Sequence, residues 1–300
     1  MLFTVVIPTY NRKDILGETI QSVLNQKFTD FELLIVDDGS TDNTKELVAE
    51  YMSRNPLKIK YIYQNNSERS AARNNGIQSA LGDFVVLLDS DDTFLPHHLE
   101  LLAQTIRKHP SCNFFSTHYD FIENEKTFRS PVSSLKEGVY DYRLFLKGNP
   151  FACNVCLRRD NPKLILFNEN RNLSVMEDWI FFIENLQHDF IYLIGIISVH
   201  MREHEGRSMF QNKLVIKRKI LAHQYIRKNV QLSGPELELL DSNASFFCSI
   251  HSYLDNDNHQ ARNFLKKSVK RSGSNSKTVI LFLKLVAGRN IAQFISRLFR

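Results

Sequence analysis

The sequence is poor in cysteine and in uninterrupted hydrophobic runs. Four cysteines among 300 residues are too few for a disulfide-stabilised secreted domain and fit a reducing compartment. The one close pair, Cys153 and Cys156, falls in a predicted strand, Ala152 to Leu157. Residues three apart on a strand face opposite ways, which argues against a shared metal or disulfide. No basic leader precedes the first apolar residues, so we expect a cytoplasmic protein.

Two glycine patterns that nucleotide-binding enzymes use are also missing. The segment Pro8 to Arg12, which follows the first predicted strand, contains no glycine. A dinucleotide-dependent oxidoreductase carries Gly-x-Gly-x-x-Gly at that point, which disfavours this class. A sugar nucleotidyltransferase usually carries a glycine-rich phosphate loop there. It shares the other requirements, a nucleobase pocket and a carboxylate-bound metal, and stays open as an alternative.

Acidic residues are scarce towards the C-terminal end. Residues 213–300 hold 16 lysines and arginines against 5 acidic residues, a net charge of +11, whereas the rest of the chain carries −6. This asymmetry argues against nucleic-acid binding by the main domain and predicts an anionic partner for the basic part.

The apolar run from Val279 breaks at Lys284 and again at residues 288–290, short of the about 20 apolar residues that cross a bilayer. We therefore expect residues 277–300 to lie on an anionic membrane surface, at the inner face of the membrane. The alternative is a terminal helix packed on the catalytic domain or on a second subunit, and a homo-oligomer stays open.

The first half of the chain alternates strand and helix patterns. Short apolar, β-branched runs end in polar residues and are followed by apolar residues at helical spacing. The predicted strands are Phe3 to Pro8, Phe31 to Asp37, Ile59 to Tyr63 and Phe84 to Asp89. The predicted helices are about Arg12 to Leu24, Thr44 to Ser53 and Ser70 to Leu81, with Asn11 as an N-cap. This order predicts a mainly parallel sheet flanked by helices, with ligands at the carboxyl ends of its strands.

The second half is less regular. It predicts a helix from Glu177 to Leu186 and an apolar run from Ile191 to Val199. From Lys213 onward helical patterns dominate, with breaks at residues 233–235 and 272–276.

Three acidic clusters could carry chemistry. Residues 36–42 (VDDGSTD) put carboxylates where a strand gives way to a helix, and an ionised Asp there can accept from a nucleobase or a ribose hydroxyl. Residues 87–92 (LLDSDD) place three carboxylates within four positions, which suits Mg²⁺ or Mn²⁺ bound together with a diphosphate. Residues 176–179 (MEDW) open a helix, where the dipole favours an ionised base. The alternatives are helix caps and a solvated loop.

Four segments, in this order, resemble the family 2 glycosyltransferases of GT-A fold. They are residues 5–12 (VVIPTYNR), 36–42 (VDDGSTD), 72–76 (ARNNG) and 88–92 (LDSDD). The resemblance implies a GT-A type Rossmann-like α/β fold with a C-terminal helical extension. It implies a catalytic domain over residues 1–212, with a nucleotide-binding half (1–100) and an acceptor half (101–212), followed by a basic helical region (213–300).

The resemblance also implies roles for individual residues. The donor would contact Pro8, Thr9, Tyr10, Asn11, Arg12, Asp38, Arg73, Asp89 and Ser90, with Asp38 at the base and Asp89 at the ribose. Asp91 would bind Mn²⁺ or Mg²⁺. Residues 200–204 (HMREH) are similar to a family segment carrying Tyr-Arg-x-His, with Met201 in place of the tyrosine, so that His204 would touch the metal or the diphosphate. Glu177 and Asp178 resemble the family's acidic pair, of which Asp178 would be the catalytic base.

The implied reaction is the inverting transfer of a sugar from a nucleoside-diphosphate sugar, with UDP as the default, in one metal-assisted displacement. The implied acceptor is a saccharide or a lipid-linked molecule in cell-surface polysaccharide synthesis. A noncatalytic nucleotide-sugar-binding scaffold is a further alternative.

Overall fold

The computed structural model describes residues 2–124, 126–204 and 207–286, and the chain divides into two compact units. The first comprises residues 1–145 and 149–205, and the second comprises residues 146–148 and 206–300. The domain boundary predicted at residue 212 stays a prediction.

The first unit is built on one sheet. Its strands among the described residues are β1 (Phe3–Thr9), β2 (Phe31–Asp37), β3 (Ile59–Tyr63), β4 (Phe84–Leu87), β5 (Thr93–Phe94), β6 (Phe114–Glu123), β7 (Lys126–Arg129), β8 (Gly138–Tyr140), β9 (Cys156–Arg158) and β10 (Ile191–Arg202). The strand order is β3-β2-β1-β4-β9-β6-β10-β5, with β7 beside β6 and β8 beside β10.

Helices connect the strands of this unit. They are α1 (Lys13–Leu24), α2 (Thr44–Arg54), α3 (Glu68–Ser79), α4 (His98–Lys108), α5 (Tyr142–Phe145) and α6 (Glu177–Leu186), with 3₁₀ turns at Pro131–Ser134 and Arg171–Leu173. The predicted alternation of strand and helix over the first 90 residues is confirmed, as is the helix from Glu177 to Leu186.

The parallel strands β1 to β4 form the part of the sheet that positions the site. Every residue of β1, β2 and β4 is buried, as expected for strands covered on both faces. The chain runs outward from β1 to β2 and β3 and then returns to place β4 on the other side of β1. The strand order therefore reverses between β1 and β4, and the carboxyl ends of strands at such a point form the usual ligand crevice of α/β folds.

The sheet is mainly parallel, as predicted, with antiparallel pairing of β9 with β4 and β6 and of β10 with β5 and β8. Two local expectations need correction. The strand predicted from Ala152 begins only at Cys156, because Ala152 has a left-handed φ of 49° and the Asn154 amide closes a turn onto the Phe151 carbonyl at 3.1 Å. Asn11 is not the N-cap of α1; Arg12 takes that position and Asn11 itself has a φ of 52°.

The second unit is helical over its described residues, as predicted. Its helices are α7 (Asn212–Asn229), α8 (Gly234–Leu254), α9 (Asn258–Ser272) and a C-terminal helix over residues 276–286, with a 3₁₀ turn at Ser208–Phe210. The predicted break near residue 233 is the start of α8, where Ser233 and Glu236 form a capping box. None of the helices among the described residues has the length and hydrophobicity needed to cross a bilayer.

Buried leucines hold the C-terminal helix against its own unit. Leu281 and Leu285 form a core cluster with Ala261 and Leu265 of α9. The Arg262 guanidinium donates to the Leu285 carbonyl at 2.9 Å. Residues 287–300, the other part of the predicted membrane segment, lie outside the described residues.

Candidate active site

The loop after β1 is fastened to the loop after β2. The Asn11 side-chain oxygen accepts from the Thr41 amide at 2.8 Å, and the Asn11 amide donates to the Ser40 hydroxyl at 2.9 Å. Pro8 and Thr9, two of the predicted donor residues, are buried inside β1, whereas Tyr10 is 47% exposed. Asn11 thus shapes the loop that leads from the buried strand to the exposed Tyr10.

The two aspartates at the end of β2 are both buried but have different partners. Asp37 accepts from the Ser40 amide at 2.8 Å and from the Tyr61 hydroxyl at 2.7 Å, and its charge together with burial raises the pKa of Tyr61. One oxygen of Asp38, Oδ1, accepts from the Gln64 side chain and the Ser67 amide at 2.7 and 2.8 Å. Asp38, the predicted base-binding residue, is therefore held rigidly at the carboxyl edge.

Gly39 makes the turn that follows these aspartates. Its φ is +85°, and a Cβ at this position would lie 2.8 Å from the Asn66 backbone nitrogen. Only glycine combines this backbone conformation with so close an approach.

The loop after β4 gathers three carboxylates. Oxygens of Asp89, Asp91 and Asp92 lie within 4.8 Å of one another. Asp92 is 5% exposed and accepts from the Arg202 amide at 3.1 Å, and the carbonyl of Ser90 accepts from the Thr19 hydroxyl at 3.0 Å. These contacts fix the loop, while Asp89 and Asp91 keep partly exposed side chains.

Basic residues from two other segments reach Asp91. The His204 imidazole lies 3.0 Å from Asp91 Oδ2, and the Arg12 guanidinium lies 3.8 Å from the same oxygen. The structure thus brings together His204, Asp91 and Arg12, which the sequence analysis assigned to one site. His200 lies elsewhere, paired with Asp120 across β6 and β10, and burial lowers its pKa.

Arg73 of α3 connects the acidic loop to the start of α6. Its guanidinium donates to Asp89 at 2.6 Å and to Glu177 Oε1 at 2.9 Å, and the residue is 2% exposed. The two carboxylates hold the pKa of Arg73 above its ordinary value. Glu177 is buried, and its second oxygen has no hydrogen-bond partner among the described residues.

Asp178 is the neighbouring acid and has a different environment. Burial and the charge of Glu177 raise the pKa of Asp178 to about 7, although Arg73 acts in the opposite direction. The Trp179 amide donates to its Oδ1 at 2.7 Å. Asp178 is only partly buried, whereas Glu177 is buried in an ion pair. A carboxyl group with a pKa near 7 can accept or release a proton at physiological pH.

The residues present fit a divalent cation. The clustered carboxylates are hard oxygen ligands, which Mg²⁺ and Mn²⁺ prefer, and His204 adds a nitrogen ligand that Mn²⁺ accepts. The proximity of three carboxylates is itself costly without a compensating positive charge. Asp91 and His204, whose side chains lie 3.0 Å apart, would therefore hold the ion.

Residues 165–170, which were not predicted to belong to the site, also support it. The Asn74 side chain donates to the Phe167 carbonyl at 2.8 Å and accepts from the Phe167 amide at 2.9 Å. Its side-chain amide also donates to the Glu169 carboxylate at 2.7 Å. The Phe167 ring stacks on the Phe181 ring with centroids 4.1 Å apart. The Arg73 guanidinium carbon lies over the Phe167 ring, 5.4 Å from its centroid. The only signal was the Arg73-Asn74 dipeptide, because residues 165–170 have no periodic pattern.

The reversal of strand order and the acidic loop after β4 are typical of an α/β enzyme that binds its ligand at the carboxyl edge of the sheet. The family model "Glycosyl transferase family 2" matches residues 4–161. The chain belongs to glycosyl transferase family 2, as the sequence motifs predicted.

Individual relatives agree with this family. The chain is 35% identical over 184 residues to an uncharacterised glycosyltransferase of Rickettsia conorii, covering 59% of this chain and 29% of the relative. It is 35% identical over 181 residues to the putative teichuronic acid biosynthesis glycosyltransferase TuaG of Bacillus subtilis, covering 60% of this chain and 71% of the relative. The chain spans between 26% and 39% of the length of the Rickettsia and Nostoc relatives.

Solved structures share the fold. S. aureus TarS 1-349 in complex with UDP-GlcNAc superimposes with a TM-score of 0.62 at 20% identity, over 92% of this chain and 93% of that one. Mannosyltransferase PcManGT from Pyrobaculum calidifontis, in complex with GDP-Man and Mn²⁺, superimposes with a TM-score of 0.60 at 16% identity, over 98% of this chain and 83% of that one. The GT-A type α/β fold with C-terminal helices is thereby confirmed.

Proposed function

We propose that the chain transfers a sugar from a nucleoside-diphosphate sugar to an acceptor hydroxyl with inversion at the anomeric carbon. The observation that carries this proposal is the pairing of two unlike acidic groups in one site. Asp178, with a pKa raised to about 7, follows Glu177, and Arg73 links Glu177 to the Asp89 carboxylate of the loop after β4. A base next to a loop whose carboxylates suit a divalent cation fits transfer from a diphosphate leaving group.

On the donor side, we assign the nucleoside to the crevice between the loops after β1, β2 and β4. Asp38 would accept from the base, Asp89 from the ribose, and Arg12 would face the diphosphate. UDP is the favoured nucleotide, since the TarS relative in fold was solved with UDP-GlcNAc and with UDP.

On the metal side, Asp91 and His204 would hold Mn²⁺ or Mg²⁺. When bound, the ion supplies positive charge that stabilises the departing diphosphate. Asp92 has a supporting role in this proposal, because it fixes the backbone of Arg202 and so the approach of His204.

On the acceptor side, Asp178 acts as the general base. Its carboxylate takes the acceptor hydroxyl proton while the hydroxyl oxygen bonds to the anomeric carbon and the bond from that carbon to the diphosphate oxygen breaks. A general base contributes about 10²- to 10⁴-fold, so positioning and charge stabilisation supply the rest. Glu177, buried against Arg73, is a positioning residue in this scheme.

The acceptor we propose is a saccharide or a lipid-linked saccharide of cell-surface polysaccharide synthesis. The support is the name of the TuaG relative, a putative glycosyltransferase of teichuronic acid biosynthesis. The proposed location is the cytoplasm, with a peripheral position at the inner face of the membrane.

The test is to incubate the protein with UDP-sugars and Mn²⁺ and to measure release of UDP with and without saccharide acceptors. We expect UDP release that stops in EDTA and in Asp91→Ala, with Asp91→Ala still folded. Full activity in excess EDTA would contradict the metal role. Binding of UDP-sugar without any UDP release would favour a scaffold, and release of pyrophosphate from a nucleoside triphosphate and a sugar phosphate would favour a nucleotidyltransferase.

A further inference from the structure

The C-terminal helix has a second apolar face that the described residues of the second unit leave exposed. Leu281 and Leu285 point into the core cluster and are 6% and 3% exposed. The opposite face has five apolar side chains with exposures between 45% and 62%, which we call the apolar ridge: Val279, Ile280, Phe282, Leu283 and Val286. A single exposed apolar residue is ordinary, but five on one face of one helix form a patch of the kind that marks an interaction site.

Basic residues border the apolar ridge on both sides. At 100° per residue, Lys277 and Lys284 fall on the same flank of the helix, seven positions apart. On the other flank, the exposed side chains of Arg262, Lys266 and Lys270 project from α9. We call these five residues the basic rim.

An open apolar groove joins the basic rim to the apolar ridge. It has a volume of about 530 Å³ and is lined on one side by Leu265, Val269 and Lys266, and on the other by Val279 and Phe282. The α9 helix and the C-terminal helix thus present one surface, apolar along its middle and cationic along its edges.

The charge of this surface indicates which partner it binds. Residues 258–286 contain seven lysines and arginines and no acidic residue. A second copy packed symmetrically on the apolar ridge would bring two basic rims together and would be repelled. The chain's own residues 287–300 would also be repelled, because they contain three arginines and no acidic residue. An anionic bilayer offers acyl chains to the ridge and acidic headgroups to the rim at the same time.

We propose that the apolar ridge and the basic rim dock the protein in the plane of an anionic lipid bilayer. The helix lies in the interface with Ile280 and Leu283 at the acyl boundary, while the long basic side chains reach the headgroups. The proposal is independent of the proposed catalytic activity, since it concerns residues of the second unit alone.

Flotation of the full chain with vesicles tests the docking surface. Vesicles of phosphatidylcholine mixed with phosphatidylglycerol should carry the protein, and vesicles of pure phosphatidylcholine should carry far less. Lys266→Gln/Lys270→Gln should lower partitioning into anionic vesicles about 30-fold at low salt, from roughly 5-fold per basic residue. Ile280→Ser/Leu283→Ser should lower it at least about tenfold on both kinds of vesicle.

Matched variants elsewhere provide the controls. Lys45→Gln/Lys228→Gln removes the same charge from exposed positions, and Leu57→Ser removes an apolar side chain that is 96% exposed. Both should bind as the wild type does. The altered side chains are all exposed, so the melting temperature should stay unchanged in every variant.

Three results would overturn the proposal. They are absence of anionic-vesicle binding by the full chain, equal loss of binding in the control variants, and a dimer in lipid-free sedimentation that Ile280→Ser/Leu283→Ser dissociates. UDP release measured without vesicles separates this proposal from the catalytic one. The ridge variants should retain UDP release. Asp91→Ala should lose UDP release but should still float with anionic vesicles.

Discussion

At the scale of single residues, Arg73 determines the charge balance of the site. It is buried between Asp89 and Glu177, and the Arg69 guanidinium also lies 3.7 Å from Glu177 Oε1. Removing one partner of a buried ion pair leaves the other charges uncompensated. The neighbouring carboxyl of Asp178 would also lose the cation that now lowers its pKa.

We therefore expect Arg73→Gln to lower the free energy of unfolding by about 3–5 kcal/mol. The pH at which activity is half-maximal should move upward at the same time, because Arg73 favours the ionised form of Asp178. Urea unfolding and a pH–activity profile measure the two effects. The control is Arg54→Gln, which removes an exposed i,i+4 pair with Glu50 and should cost about 0.5 kcal/mol or less. Equal losses in the two variants would contradict the role of Arg73.

Asp178 gives a prediction with a defined pH window. The folded chain holds this proton up to about pH 7, whereas an unfolded chain releases it near pH 4. The contribution of Asp178 to stability is therefore complete below about pH 4 and is lost as the pH rises to about 7. Asp178→Asn removes this dependence, so its melting temperature relative to wild type should increase between these pH values and level off above them.

Activity should follow the opposite course. The carboxylate form of Asp178 is the base, so wild-type transfer should rise with pH through about 7, and Asp178→Asn should reduce transfer by about 10²- to 10⁴-fold. UDP affinity should stay within a few-fold of wild type. The exposed Asp160→Asn is the control for both measurements. Parallel loss of UDP binding in Asp178→Asn would indicate a structural role instead.

Glu177 and Asp178 also show the limit of predicting single residues from the sequence. The adjacent acids Glu177 and Asp178 have the same chemistry in the sequence, and only a family resemblance distinguished them. The structure buries Glu177 against Arg73, a residue 104 positions away, and leaves Asp178 partly open. Burial of a side chain depends on contacts distant in sequence, which no local pattern records.

At the scale of elements, the position of α3 against β1 places Arg73. Gly76 of α3 faces Val6 of β1, and a Cβ there would lie 2.3 Å from a Val6 methyl carbon. Real contacts are never that short, and a buried β-branched side chain cannot turn away. The absence of a side chain at Gly76 therefore allows α3 to approach the sheet.

Gly76→Ala should destabilise the protein by about 1–3 kcal/mol, even though alanine favours helix by about 1 kcal/mol. The shift of α3 should also lower transfer activity. Gly17→Ala in α1 is the matched control, because its Cβ would meet the Tyr51 hydroxyl at 3.4 Å and a Tyr51 ring carbon at 3.9 Å, both ordinary contact distances. Thermal unfolding should rank Gly17→Ala at or above wild type and Gly76→Ala below it. The reverse order would show that α3 tolerates displacement.

Elements were predictable where one physical signal dominated. The strands β1, β2 and β3 follow from short apolar runs that contain β-branched residues, and their predicted limits agree with the structure to within one residue. The prediction failed at Ala152 and Asn11, where positive φ angles turn the chain. Such turns are decided by the contacts on either side, in the case of Asn11 by Ser40 and Thr41.

At the scale of the whole molecule, the proposed donor site involves only one of the two compact units. The proposed donor residues all lie in the first unit, residues 1–145 and 149–205. A ligand stabilises the folded unit that binds it, by about 2.7 kcal/mol at 100 times the dissociation constant. Protection should therefore be unequal along the chain.

Hydrogen exchange with UDP and Mn²⁺ tests this expectation. Amides of residues 37–44 and 88–92 should exchange more slowly with both ligands present, and amides of α7 to α9 should not change. Asp38→Ala should abolish the protection by UDP while its fold is retained. Protection confined to the second unit would place the nucleotide site elsewhere and contradict the proposed crevice.

The sequence by itself determined the order of strands and helices, the family, and the polar groups at the ends of β1, β2 and β4, because these depend on local periodicity and on short motifs. It also determined the uneven distribution of charge. Only the tertiary structure decided which acid is buried, how Arg73 joins Asp89 to Glu177, and which face of the C-terminal helix stays exposed. Those features depend on packing between residues far apart in sequence, where desolvation and close contact fix the pKa of each acid and the burial of each face.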